Sequence, residues 1–182
     1  MPAAPFPLKG AELPGVAEAL AERYEAVAVS SNGLFLSALK EPAEEQSVRW
    51  QALLKADAKY TATGTLGAAL SSYTRLASER PRGRLLELAE RSGPRTVLLA
   101  HDAGLIARYW EAGGRELTVV LQQSARRPAG TPHGLWLLAP AEDPRATPTL
   151  DGRTVEVVDR VTEWEVLDGL CLKSLRAAGS HS

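Results

Sequence analysis

Two unbroken apolar runs constrain the fold more than any other feature of this chain. VLLA at 97–100 and GLWLLAP at 134–140 place apolar side chains at consecutive positions rather than alternate ones. A strand turns its side chains to two faces in succession, so a run of this kind needs cover on both. Helices give a parallel sheet that cover in α/β proteins. RTVEVVD at 153–159 and EAVAVS at 25–30 read as further strands, and a weak strand near Phe6 to Lys9 would be a fifth.

The segments between these runs have helical spacing. Leu13, Val16, Ala17, Leu20 and Tyr24 fall on one helical face and predict a helix over 13–24. Residues 34–58 predict two helices meeting at Pro42, because proline lacks a backbone donor and restricts the residue before it. TATGT at 61–65 reads as a loop. Leu66, Leu70, Tyr73 and Leu76, then Leu85, Leu86 and Leu88, form stripes on either side of a break at Pro81 to Gly83. A helix is expected from about Ala103 to Arg127, bent at Gly113-Gly114, and a last one places Trp164, Leu167, Cys171 and Leu175 at helical spacing. The alternation predicts a three-layer, Rossmann-like α/β fold: a mainly parallel sheet of four to five strands with helices on both faces.

A chain of 182 residues suits one domain, expected over 13–177, with a proline-rich extended arm at 1–12 and a small polar tail at 178–182. Lys plus Arg number 21 against 22 Asp plus Glu, so the whole-chain charge lacks the footprint of a nonspecific nucleic-acid binder. The single cysteine, Cys171, allows neither a disulfide framework nor a cysteine-based zinc site. With no signal-like start and no apolar run of about 20 residues, a cytoplasmic protein is expected.

The strand VLLA leads into His101-Asp102-Ala103-Gly104, a turn where α/β proteins often carry ligands or catalytic groups. His101 could act as a general base with Asp102 as a metal ligand or orienting group, but adjacent side chains diverge on extended backbone and need partners from elsewhere. The plainer reading makes Asp102 the N-cap of the helix that follows. Glu142, Asp143, Asp151 and Asp159 near strand ends could hold a hard metal, although turn chemistry accounts for them as well. Arg80, Arg82 and Arg84, and Arg126-Arg127, are either phosphate contacts or solvated faces. Trp136 and Trp164 read as core, while Trp50 and Trp110, together with Arg80, Arg82 and Arg84, are candidate partner contacts. There is no G-x-x-x-x-G-K-[ST], no complete G-x-G-x-x-G and no G-x-S-x-G, and His133 lacks a second ligand at metal spacing.

The order of the pieces is more distinctive than any one of them. VLLAHDAGLIARY at 97–109, GLWLLAP at 134–140 and LDGRTVEVV at 150–158 resemble successive landmarks of BrxB-like domains in bacteriophage-exclusion (BREX) and phage-growth-limitation (Pgl) systems. SNGLFLSALKEPAEEQSVRWQALLKADA is similar to the segment that precedes them, so the resemblance covers roughly 24–160. His101-Asp102-Ala103 departs from it, standing where a polar-proline dipeptide is more usual. The resemblance implies a defence accessory protein with no established catalytic residues and no cofactor. It implies assembly with PglZ-like, ATPase or methyltransferase components, and self-association stays open. Two other readings stand beside it: an enzyme or nucleotide-responsive domain using His101, Asp102 and Asp143, and nucleic-acid binding through the arginine clusters.

Overall fold

The computed structural model describes residues 13–93, 95–126, 134–140, 146–158, 165–167, 171, 173 and 174. Helix α1 (Leu13–Arg23) leads into strand β1 (Val27–Ser30), and four helices follow: α2 (Ser31–Glu45), α3 (Trp50–Thr63), α4 (Ala68–Glu79) and α5 (Pro81–Ser92). Strand β2 (Val97–His101) then passes through α6 (Gly104–Arg108), a 3-10 turn (Trp110–Ala112) and α7 (Gly114–Ala125) to strand β3 (Gly134–Leu137). A short pair, β4 (Thr149–Leu150) and β5 (Arg153–Thr154), comes next, and further on Cys171, Lys173 and Ser174 are helical.

The three long strands form a parallel sheet in the order β1-β2-β3, with Ser30 beside His101 and Leu99 beside Trp136. Alternation along β2 sends its side chains into two separate cores. Leu99 packs with Val16, Ala17 and Leu20 of α1 and with Leu138. Leu98 packs with Val29 and with Leu85 and Ala89 of α5. A larger cluster beyond the strand ends joins Phe35, Leu39, Leu70, Ile106, Tyr109 and Leu117 to Leu150 and Val155 of the β4–β5 pair. Buried on both sides, β2 is the strand that the apolar run predicts.

The sheet has three strands rather than four or five. RTVEVVD forms strand only at Arg153–Thr154, paired antiparallel with Thr149–Leu150 in a sheet of its own. Val155 is drawn into the large cluster and Val157 is half-buried, while Glu156 and Val158 face outward, so the segment keeps one covered face but beyond Thr154 pairs with no strand among the described residues. GLWLLAP is strand only over Gly134–Leu137 and lies at an edge of the sheet among the described residues, with Trp136 44% and Leu137 40% exposed. Trp136 is therefore not a core residue. The weak strand near Phe6 to Lys9 lies outside the described residues.

Pro42 does not divide its helix. Its ring is among the fully buried groups of α2, which continues to Glu45. Burial of the ring offsets the lost amide bond, and the break comes later, between Gln46 and Arg49. Pro81 instead occupies the first turn of α5, where the missing donor has no intrahelical partner to lose, and Gly83 sits inside that helix. At 109–114 the expected single helix is broken: Gly113 has φ +109°, and a Cβ on Gly114 would overlap the Ile106 carbonyl oxygen. Only glycine fits both the turn and the close approach.

Candidate functional site

The carboxyl ends of β1 and β2 bring polar side chains together at the start of two helices. Ser30 caps α2, its hydroxyl accepting from the Gly33 amide at 3.0 Å. The same first turn of α2 presents Asn32, which binds across to the chain after β2. Its amide nitrogen Nδ2 donates to Asp102 Oδ1 at 2.7 Å, and its Oδ1 accepts from the Leu105 backbone at 2.8 Å. The Asn32 backbone amide also donates to the Asp102 carbonyl at 3.0 Å.

Asp102 is thus not the N-cap of α6. That position belongs to Ala103, which offers no side-chain bond, and Asn32 supplies the missing acceptor from another element. Asp102 takes φ +59°, a left-handed conformation that aspartate tolerates better than most residues, and this turns its carboxylate toward Asn32. Asp151, at φ +44° in the β4–β5 turn, approaches the same place: a Cβ on Gly104 would lie 3.0 Å from its Oδ2. Gly104 therefore leaves room for a second carboxylate.

His101 stands beside Ser30 on the same face of the sheet, 8% exposed, and its buried Nδ1 has no hydrogen-bond partner among the described residues. The structure therefore brings His101, Asp102 and Asp151 to one end of the sheet. Asp143, Glu142 and Asp159 lie outside the described residues. No group of three or more His, Cys, Asp or Glu among the described residues is placed to hold a metal ion.

The arginines have mostly intramolecular work. Arg80 binds Glu41 at 2.6 Å and Glu45 at 3.0 Å, and Arg84 binds Glu41, so both guanidinium groups fasten the α4–α5 junction to α2. The hydrogen bond from Arg80, with the Arg84 charge beside it, holds the Glu41 carboxyl below its ordinary pKa. Arg82 is exposed; Arg127 lies outside the described residues. Trp50 is half-buried at the start of α3, with the Lys40 ammonium 5.5 Å from its ring. Trp110 borders an open groove of about 290 Å³ between α7 and β5, together with Arg115, Thr118, Gln122, Thr154 and Glu156.

A second polar cluster carried no signal in the sequence. Arg108 Nε and the Tyr109 hydroxyl both donate to Asp57 Oδ1, at 2.8 and 2.5 Å, and the Arg108 guanidinium lies 5.1 Å from the Tyr60 ring. Burial, reinforced by the Asp57 carboxylate, raises the Tyr109 pKa well above that of a free phenol. The group fastens α3 to the end of α6. Its residues are 51 and 52 positions apart, a distance no local pattern encodes.

These features define a mixed α/β fold on a three-stranded parallel sheet, with Asn32 and Asp102 bonded to each other at the strand ends. The chain is 36% identical over 152 residues, 82% of its length, to the protein named "Probable kinase PglW" of Streptomyces coelicolor. It spans 9% of that protein's length, so the relationship is to one segment of a much larger Pgl protein. No protein-family model matches the chain, and no solved structure matches it with significance. No helix among the described residues is long and apolar enough to cross a membrane.

Proposed function

We propose that this chain is a BrxB-like accessory domain of a bacterial phage-defence system of the Pgl or BREX kind, acting by docking onto larger components rather than by catalysis. The observation that carries the reading is its 36% identity with a segment of PglW. The kinase named there is that whole protein, of which this chain matches 9%. The site geometry supports a docking role: both ends of the Asn32 amide and one oxygen of Asp102 are committed to holding α2 and α6 in place. In this reading the chain is cytoplasmic and one domain over 13–177. It has a three-layer arrangement, a role for which cores on both faces of β2 are the support. Its partners are PglZ-like, ATPase or methyltransferase proteins, with Trp50, Trp110 and Arg82 as contact residues.

Purification of the tagged chain from its native host at moderate salt tests this. Recovery of large defence components, lost on substituting Trp110 or Trp50 with the fold retained, is the expected result. A chain that returns alone overturns the reading.

The second reading, an active or ligand-responsive site at the strand ends, is favoured by one observation: the unpartnered Nδ1 of His101 beside Ser30 and Asp102. Buried polar atoms without partners are rare, and a catalytic role or a bound ligand is one explanation for such an atom. Thermal-shift screening with nucleotides and divalent metals distinguishes it: a ligand-dependent rise in Tm that His101→Ala abolishes favours this site, and no rise with any of them rejects it.

A further inference from the structure

Helices α2 and α3 meet at one point and separate from there. Their contact is Lys40 on Trp50, with the ammonium 5.5 Å from the ring centre. At the other end the Tyr109 ring stands between them, stacked on Phe35 of α2 at 5.8 Å and on Tyr60 of α3 at 6.2 Å. Leu36 lies one turn from Lys40, and Leu54 one turn from Trp50, each toward the widening end. Both are open to solvent, Leu36 at 38% and Leu54 at 44%. Single exposed leucines need no explanation, but two on neighbouring helices beside a half-buried tryptophan make an apolar seam.

The charges of the same two helices select the occupant. Lys40 is part of the seam, Lys55 adjoins Leu54, and Lys59 follows one turn later; all are exposed and form no ion pair with the described residues. Most acids of α2 and α3 are already engaged: Glu41 and Glu45 hold Arg80 and Arg84, and Asp57 holds Arg108. Glu44 is the remaining acid of the two helices, so the free charge beside the seam is positive on balance. A second copy of this chain would set lysines against lysines, which electrostatic complementarity disfavours. A helix is the element that fills a seam between two helices, by laying its apolar stripe into it. We propose that the α2–α3 seam docks an acidic amphipathic helix of a partner protein, its apolar stripe on Leu36, Trp50 and Leu54 and its carboxylates facing Lys40, Lys55 and Lys59. This rests on the docking reading only in requiring a protein partner, and adds the face and the partner's chemistry.

A displayed library of helical peptides tests the proposal, with leucine fixed at helical spacing and the other positions open to acidic, basic and neutral residues. Selected on the 182-residue chain, the bound set is expected to be rich in Asp and Glu. A synthetic peptide from that set should bind more weakly at high salt, because exposed charges are screened. Leu36→Ala and Leu54→Ala should each weaken it about tenfold, with the circular dichroism spectrum unchanged. Replacing Lys40, Lys55 and Lys59 together by Glu should abolish binding, and the same variant should bind the peptide whose acids are changed to Lys. A bound set without acidic excess, or binding that survives all these substitutions, overturns the proposal. So does flotation of the chain with phosphatidylcholine–phosphatidylserine vesicles that Leu54→Ala abolishes, since the seam is then a lipid surface. Recovery of defence components from the native host by wild type and Leu54→Ala alike rejects this face and leaves the defence reading standing. Acidic peptides bound by a chain that returns alone from its host reject the defence reading and leave this face standing.

Discussion

Asn32 binds two groups that follow β2, and its replacement exposes how much of the strand-end geometry rests on one side chain. Asn32→Ala leaves the Leu105 amide and Asp102 without their partner and is expected to cost about 1–3 kcal/mol in urea denaturation. Asn32→Asp costs more, because a carboxylate then faces the Asp102 carboxylate. At Tyr109 the signature is in pH. Its pKa is raised in the folded state, so its contribution is complete below the unfolded value of 10.0 and is lost as pH rises beyond it. Tyr109→Phe is expected to lower stability at pH 7 by about 1–2 kcal/mol and to remove this part of the alkaline loss. His101 and Asp102 were legible in the sequence as a strand-end pair, but Asn32 was not. It sits in S-S-N-G, which reads as a turn, and its partners lie 70 and 73 residues away.

At the scale of elements, the glycine pair between the 3-10 turn and α7 is the tightest joint. A Cβ at Gly113 would collide with Ser78 of α4, and one at Gly114 with the Ile106 carbonyl. Gly113→Ala and Gly114→Ala are each expected to cost about 3 kcal/mol or more, measured as a drop in Tm, since the overlaps reach the Ser78 Cβ and the Ile106 backbone, which cannot swing aside, and Gly113 also has a positive φ. The α2–α4 junction responds to acid instead. Glu41 has a lowered pKa in the fold, so its contribution is present above its unfolded value of 4.5 and is lost as pH falls below. The stability difference between wild type and Glu41→Gln should therefore shrink across that range. Helix positions were well marked, because Leu70 or Leu85 at helical spacing reports a buried face directly. Helix ends were not: Pro42 reads as a break from backbone chemistry alone, and only the packing around its ring keeps α2 intact.

For the whole molecule, β2 is the axis, carrying one core on each face and a strand on each edge. In hydrogen exchange, Leu98 to Ala100 should be the slowest amides, and the β4–β5 turn among the fastest of the described residues. The unbroken VLLA run announced that centre. The edge was misread because GLWLLAP has the same composition, and hydrophobicity alone cannot distinguish a strand covered on both faces from one left open at a border. The bridge from Asn32 to the chain after β2 also has a kinetic meaning. It can close only after a loop of more than 60 residues has been gathered and β1 has met β2 in register. Such a contact belongs on the native side of the folding barrier. Asn32→Ala should then leave the refolding rate nearly unchanged and accelerate unfolding, about tenfold for each 1.4 kcal/mol lost. On that account Asn32 is a latch that sets the lifetime of the folded chain and has little influence on how quickly it is reached.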